Sequence, residues 1–249
     1  MFFLELTIAA MFGAIFGSYG TLFAYRLPIG ESCFGRYFGP KSRCPSCNKV
    51  IRTRELIPII NWLFTLGRCT NCQAKIPKTY LFIEIATTTL FVLCYLNYGF
   101  SEAFIIFALL SSGCVVILAT DYSHKIFPNL ALNVIFIAGL VNRILIDEGI
   151  LDAVFSAAIG IVFAAIFYQL LHKTFTNFIS GEKQSLSYAK FIIIAAVCFI
   201  SIQTFLLYFL ALCLILAFLI FLGKSLKKSN HDLGFALVLP FLWLMFQTY

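Results

Sequence analysis

Charge is scarce in this chain. Only 12% of its 249 residues are Asp, Glu, Lys or Arg, where a soluble domain carries about 25%. Acids are the rarer sign, 11 against 18 bases. A basic n-region is also missing: Met1-Phe2-Phe3-Leu4-Glu5 opens without Lys or Arg, so the first apolar stretch is expected to be retained rather than cleaved. No internal repeat stands out, and low complexity goes no further than a general richness in Phe, Ile and Leu. These shortages exclude an ordinary soluble enzyme. What fills the chain instead is apolar: 61% hydrophobic residues, 29 of them Phe, and a mean hydropathy of +0.95. That composition predicts an all-α polytopic membrane protein.

Seven apolar runs mark the expected spans, at about 4–25, 80–97, 103–120, 127–145, 151–172, 191–222 and 233–249. The sixth is too long for one crossing of about 20 residues. Ser201-Ile202-Gln203-Thr204 interrupts it, and splitting there gives about eight spans. Basic residues test the split, because cytoplasmic loops are rich in Lys and Arg. With eight spans, 26–79, 121–126, 173–190 and 223–232 all fall on one face, and only Arg143 of the 18 bases lies towards the other. The net charge of +7 is thereby assigned to topology, and no nucleic-acid partner is expected. The expected domains are a first transmembrane helix over 1–25, a cytoplasmic loop over 26–79, and a bundle of about seven helices over 80–249.

The loop holds the strongest chemical signal. Cys44-Pro-Ser-Cys47 and Cys69-Thr-Asn-Cys72 are two CxxC knuckles separated by 21 residues. Such pairs read as a zinc site, and four thiolates close a tetrahedral, structural centre. A small zinc-ribbon-like insertion is therefore expected, with Zn as a structural cofactor. Cys33 stands alone in the same loop and is read as incidental. Cys94, Cys114, Cys198 and Cys213 lie in apolar runs and read as small hydrophobes. Knuckles facing the cytoplasm argue against a disulfide framework.

Carboxylates near a span are costly and often functional. Asp121 ends the third span in Thr120-Asp121-Tyr122-Ser123-His124-Lys125-Ile126-Phe127-Pro128-Asn129. Its bland alternatives are a helix-end residue reaching the interface or an Asx turn before Pro128. His124 reads as an interfacial polar residue. Glu84 is expected to pair with Lys78 or Arg68 or to sit at the junction of loop and membrane, Glu5 to face water, and Arg26-Leu27-Pro28 to be a basic stop followed by a breaker. Ser185-Leu186-Ser187-Tyr188-Ala189-Lys190 opens the sixth span on the Asp121 face.

Together these residues resemble the prepilin peptidase family, the type IV leader peptidases. Gly17-Ser18-Tyr19-Gly20-Thr21-Leu22-Phe23-Ala24-Tyr25-Arg26-Leu27-Pro28 is similar to the family's GSFxNxxxxRLP, with Thr21 where Asn is usual. The knuckles, the Ile57-Pro58-Ile59-Ile60-Asn61-Trp62-Leu63 stretch between them, Pro77, Tyr80 and Glu84, and Asp121 with Pro128-Asn129 match in order and spacing. The resemblance implies a GxGD-type aspartic endopeptidase of the bacterial inner membrane. It would cut basic leaders from prepilins or type II secretion pseudopilins at the cytoplasmic face, where the zinc unit and Asp121 are expected. Many members also N-methylate the product with S-adenosylmethionine, and pilus or secretion machinery is an implied partner.

Chemistry of this kind needs two carboxylates around one water, one ionised and one protonated. Here the chain departs. The second Asp belongs in GxGDxK, and Ser185-Leu186-Ser187-Tyr188-Ala189-Lys190 puts Tyr188 in its place. A phenol titrating near pH ~10 cannot be a general base at neutral pH. Glu182, six residues upstream, could substitute if the loop folds back. Three functions follow: a working peptidase resting on Asp121, a family member without the peptidase step that still binds prepilin or assembly partners, and a zinc-bearing scaffold or transporter. The last requires a polar pathway at mid-membrane, and almost no charge lies deep in the spans.

Overall fold

The computed structural model describes residues 1–33, 41–146, 182–198 and 233–246, with scattered helical positions between 154 and 169 and between 207 and 214. The expected span at 151–172, the break at Ser201–Thr204 and the loop at 223–232 fall wholly or largely outside the described residues. Among those described the chain is helical, with two isolated antiparallel bridges, Arg43–Val50 and Arg68–Lys75.

Three helices are long and apolar enough to cross a membrane: α1 (Phe2–Arg26), α3 (Lys78–Tyr98) and α4 (Glu102–His124). A five-residue helix, α2 (Ile60–Phe64), lies between the first two. Beyond α4 come α5 (Asn129–Ile146), α6 (Glu182–Cys198) and α7 (Leu233–Met245), shorter and also apolar. The first four expected spans coincide with α1, α3, α4 and α5 to within a few residues. The largest difference is at α4, which continues past Asp121 to His124. It ends with Lys125 at φ +56 and the Lys125 N–H on the Asp121 carbonyl, a left-handed cap. Eight crossings were expected; three candidate spans stand among the described residues.

The chain forms two compact units, Met1–Phe104 and Ile105–Tyr249. In the first, α1 packs along α3. Small residues make the approach possible: a Cβ on Gly17 would stand 2.8 Å from the Glu84 Cα, and one on Gly13 2.7 Å from that of Thr88. With no water to compete in lipid, such close backbone packing is what joins apolar helices. Tyr95 donates to Glu5 at 2.5 Å across this pair, so Glu5, expected to face water, is tied to α3. Arg26 is more than a basic stop: it is buried, donates to the Ser32 carbonyl at 3.3 Å and lies 3.9 Å from the Glu31 carboxylate.

In the second unit, α5 and α6 pack side by side. The Cys198 thiol donates to the Ile135 carbonyl at 3.7 Å, and Gly139 leaves room for its sulfur. Phe127, Phe191 and Phe241 form an edge-to-face aromatic chain, with ring centres 5.5 and 5.4 Å apart.

Candidate functional site

The four knuckle cysteines converge. Their sulfurs all lie within 4.8 Å of one another, and Cys44 and Cys72 are 3.8 Å apart. A tetrahedron of thiolates at about 2.3 Å from Zn²⁺ places its sulfurs ~3.8 Å apart, so the donor set fits zinc. Each knuckle builds its half in the same way. Cys44 N–H bonds the Lys49 carbonyl, and Asn48 N–H returns to the Cys44 carbonyl. Cys69 N–H bonds the Ala74 carbonyl, and Gln73 N–H returns to Cys69. Asn48 and Gln73, each directly after the second cysteine, both turn left-handed at φ +59. This is a two-fold structural repeat, although none was expected from the sequence. Its signal is Arg-Cys-x-x-Cys followed by an amide side chain, at 43–48 and again at 68–73.

The thiols are not equivalent. The Lys49 N–H, then the Asn71 side-chain amide, hold Cys47 down to about 6. The Cys72 and Asn71 N–H groups lower Cys69. At Cys72 the Ala74 N–H pulls downward, but desolvation and the three neighbouring thiols outweigh it and leave Cys72 up at about 11. Cys33 lies outside this cluster, buried with its thiol 3.9 Å from the Glu31 carbonyl.

Asp121 lies in the last turn of α4 and is 0% exposed. Among the described residues, donors from two helices clamp it. The Tyr188 hydroxyl, from the second turn of α6, donates to Oδ1 at 2.6 Å. The Gly234 N–H, at the start of α7, donates to Oδ2 at 3.2 Å. The first N–H groups of a helix have no partner within it and carry the positive end of its dipole, so the start of α7 suits a carboxylate. A Cβ on residue 234 would press on the Asp121 carboxylate, which would have to shift to admit it. Tyr188 is 3% exposed and packs at a tilt against Phe127, with ring centres 4.8 Å apart. The Asx turn considered for Asp121 is not formed. Its carboxylate points to α6 and α7 rather than back to its own chain.

A second link runs parallel to the first: Lys190 donates to the Asn129 side chain at 3.0 Å on the exposed side. The segments around Asp121 and Tyr188 are thus joined twice, at Asp121–Tyr188 and at Asn129–Lys190. Glu182 begins α6. Six residues of unbroken helix place its backbone ~9 Å along the axis from Tyr188, so the folded-back loop that its substitution would need is not the arrangement observed. His124 is exposed. Glu84, expected either to pair with Lys78 or Arg68 or to sit at the junction of loop and membrane, accepts the Ile59 N–H at 2.6 Å and so joins α3 to the loop. Gly234 escaped the reading of the sequence. Its one signal is a glycine opening an apolar run.

Residues 11–98 match the bacterial peptidase A24 N-terminal domain. A type 4 prepilin-like proteins leader peptide-processing enzyme of Escherichia coli O78:H11 is 30% identical over 148 residues, 54% of this chain and 55% of that one. A prepilin leader peptidase/N-methyltransferase of Stutzerimonas stutzeri is 33% identical over 124 residues, covering 49% and 43%. Its namesake in Bacillus subtilis is 30% identical over 171 residues, covering 67% and 66%. The chain therefore spans between 43% and 66% of the length of these relatives. No solved structure matches. The N-terminal domain match, the several relatives named for prepilin leader processing and the paired knuckles between α1 and α3 agree: the chain belongs to the prepilin peptidase family.

Proposed function

We propose that this chain processes prepilin or pseudopilin leader peptides in the bacterial inner membrane, with Asp121 as the base. The observation that carries the proposal is the clamped Asp121 carboxylate. Peptide hydrolysis by a carboxylate pair needs one ionised member and one bearing a proton. Tyr188 supplies the proton-bearing half: its hydroxyl stands 2.6 Å from Oδ1, where the protonated acid of a pair would sit. Asp121 would take a proton from water as the water oxygen bonds to the scissile carbonyl carbon. The phenol would turn its hydrogen bond to the carbonyl oxygen as negative charge develops there. The proton held by Asp121 then passes to the leaving amine as the C–N bond breaks.

The wider assignment follows the charge pattern. It comprises eight crossings, the zinc unit and Asp121 on the cytoplasmic side, and pilus or secretion machinery as partner. Zn²⁺ bound by Cys44, Cys47, Cys69 and Cys72 would hold the 41–76 unit together. S-adenosylmethionine would supply the methyl group for N-methylation of the product.

One observation favours a second reading. Asp121 and Tyr188 are 0% and 3% exposed, so the described arrangement is sealed against water. A member that binds prepilin without cutting it would look the same. Cleavage of a prepilin in membranes decides between the two. If the chain is a peptidase, it cleaves, Asp121→Ala loses at least about a thousandfold, and Tyr188→Phe loses about tenfold to a thousandfold through the missing hydrogen bond. If only Tyr188→Asp cleaves, the chain binds leaders without processing them.

A further inference from the structure

The 57–66 segment is unusual for a stretch of polar loop. Ile57, Ile60, Leu63, Phe64 and Leu66 are 48%, 51%, 55%, 86% and 80% exposed. Ile60, Leu63 and Phe64 fall at i, i+3 and i+4 of α2 and therefore share one face. Isolated exposed hydrophobes need no explanation, but a contiguous group marks an interaction surface.

The backbone shows where that group stands. Ile59 N–H is held by Glu84, six residues into α3 and so ~9 Å of helix rise beyond Lys78. The backbone of Glu84 in turn faces Gly17, nine residues and ~13.5 Å before the end of α1. Ile59 is thus held beside the second turn of α3, at the level where α3 meets the last turns of α1, instead of standing away with the knuckles. The segment's exposed residues continue the apolar exterior of those helices, where Phe82, Ile85 and Tyr25 are 64%, 44% and 40% exposed. Around it the 41–78 stretch carries eight Lys and Arg against one acid, Glu55. Arg52, Arg54, Arg68, Lys75 and Lys78 are all exposed.

We infer that residues 57–66 form an interfacial anchor, with Phe64 and Leu66 seated in the boundary between lipid headgroups and acyl chains. An apolar face rimmed by cations fits the surface of an anionic bilayer. Glu84 satisfies the Ile59 N–H that lipid could not. Ile59 itself is held at φ +62, a conformation a β-branched residue adopts only when its surroundings impose it. The anchor would keep the zinc unit flush with the membrane.

The test uses the full chain in phosphatidylcholine vesicles containing phosphatidylglycerol, with Trp243→Phe as background. Phe64→Trp and, separately, Leu66→Trp add a fluorophore to the patch, and Lys49→Trp adds one to a knuckle. Zinc content equal to the background confirms that the unit is folded in each variant. The expected result is that Trp at 64 or 66 loses most of its added emission to lipids brominated on the acyl chains and little to aqueous iodide, with Lys49→Trp behaving oppositely. Iodide quenching of positions 64 and 66 matching that of position 49, without bromine quenching, would overturn the anchor. So would shielding that arises only when a peptide with a prepilin-type apolar segment is added, because the patch would then be a substrate surface. Neither readout depends on cleavage.

Discussion

The knuckles and the Asp121 clamp are built at opposite ranges of the chain. Each knuckle makes its turn within eight residues, and the second repeats the first 25 positions later, as Arg43 and Arg68 show. The clamp draws on residues 67 and 113 positions away from Asp121. Short-range sites announce themselves because the spacing that makes the geometry is also the motif. Long-range sites do not, because any helix of suitable length could deliver the partner. The two also differ in what would hold them: a metal shared by four thiols in one, helix packing and the Tyr188 and Gly234 hydrogen bonds in the other.

Removing the metal should break the comparison most sharply. Chelation, or Cys44→Ser, is expected to unfold residues 41–76 while leaving α5–α6 packing intact, since structural zinc contributes on the order of 10 kcal/mol to such units. Hydrogen exchange resolved by segment would show protection lost in the first stretch alone; equal loss around Asp121 would mean that the two regions are one cooperative unit. Gly234→Ala attacks the other side. Its methyl collides with the carboxylate, and overpacking at a buried site costs about 1–3 kcal/mol. Thermal unfolding in detergent should fall accordingly with zinc content unchanged. An unshifted midpoint would show that α7 can move away from Asp121 freely.

The smallest effect concerns protons. With Cys47 down at about 6 and Cys72 up at about 11, at pH 7 the first is a thiolate and the second still holds its proton. Zinc binding at pH 7 should therefore release protons, and affinity should rise with pH. Below pH 6 Cys47 protonates as well, so the release grows and the affinity falls faster. Titrating zinc into the metal-free chain in buffers of differing ionisation enthalpy would measure this. A release near zero at pH 7 would contradict the Cys72 assignment.

Much of this was legible in advance, for identifiable reasons. The three candidate spans α1, α3 and α4 could be read because lipid demands unbroken apolar length. The zinc ligands could be read because CxxC is a local geometry. Tyr188 could be placed opposite Asp121 only through the family's motif order. The Gly234 donor was hidden, because a backbone N–H leaves no mark on a sequence beyond the absence of a side chain. The Glu84–Ile59 bond was hidden for the opposite reason: isoleucine argues against the left-handed turn it makes there. The repeat in the knuckles was overlooked because only four or five positions of each copy carry it.

The clamp also has a history in time. Asp121 is made 113 residues before Gly234, and synthesis at about 5–20 residues per second separates them by roughly 6–23 s. For that interval the carboxylate stands without its second donor. α7 is made after α4 and α6 and brings the Gly234 N–H to the site, so the candidate catalytic group is assembled only after that helix has been synthesised.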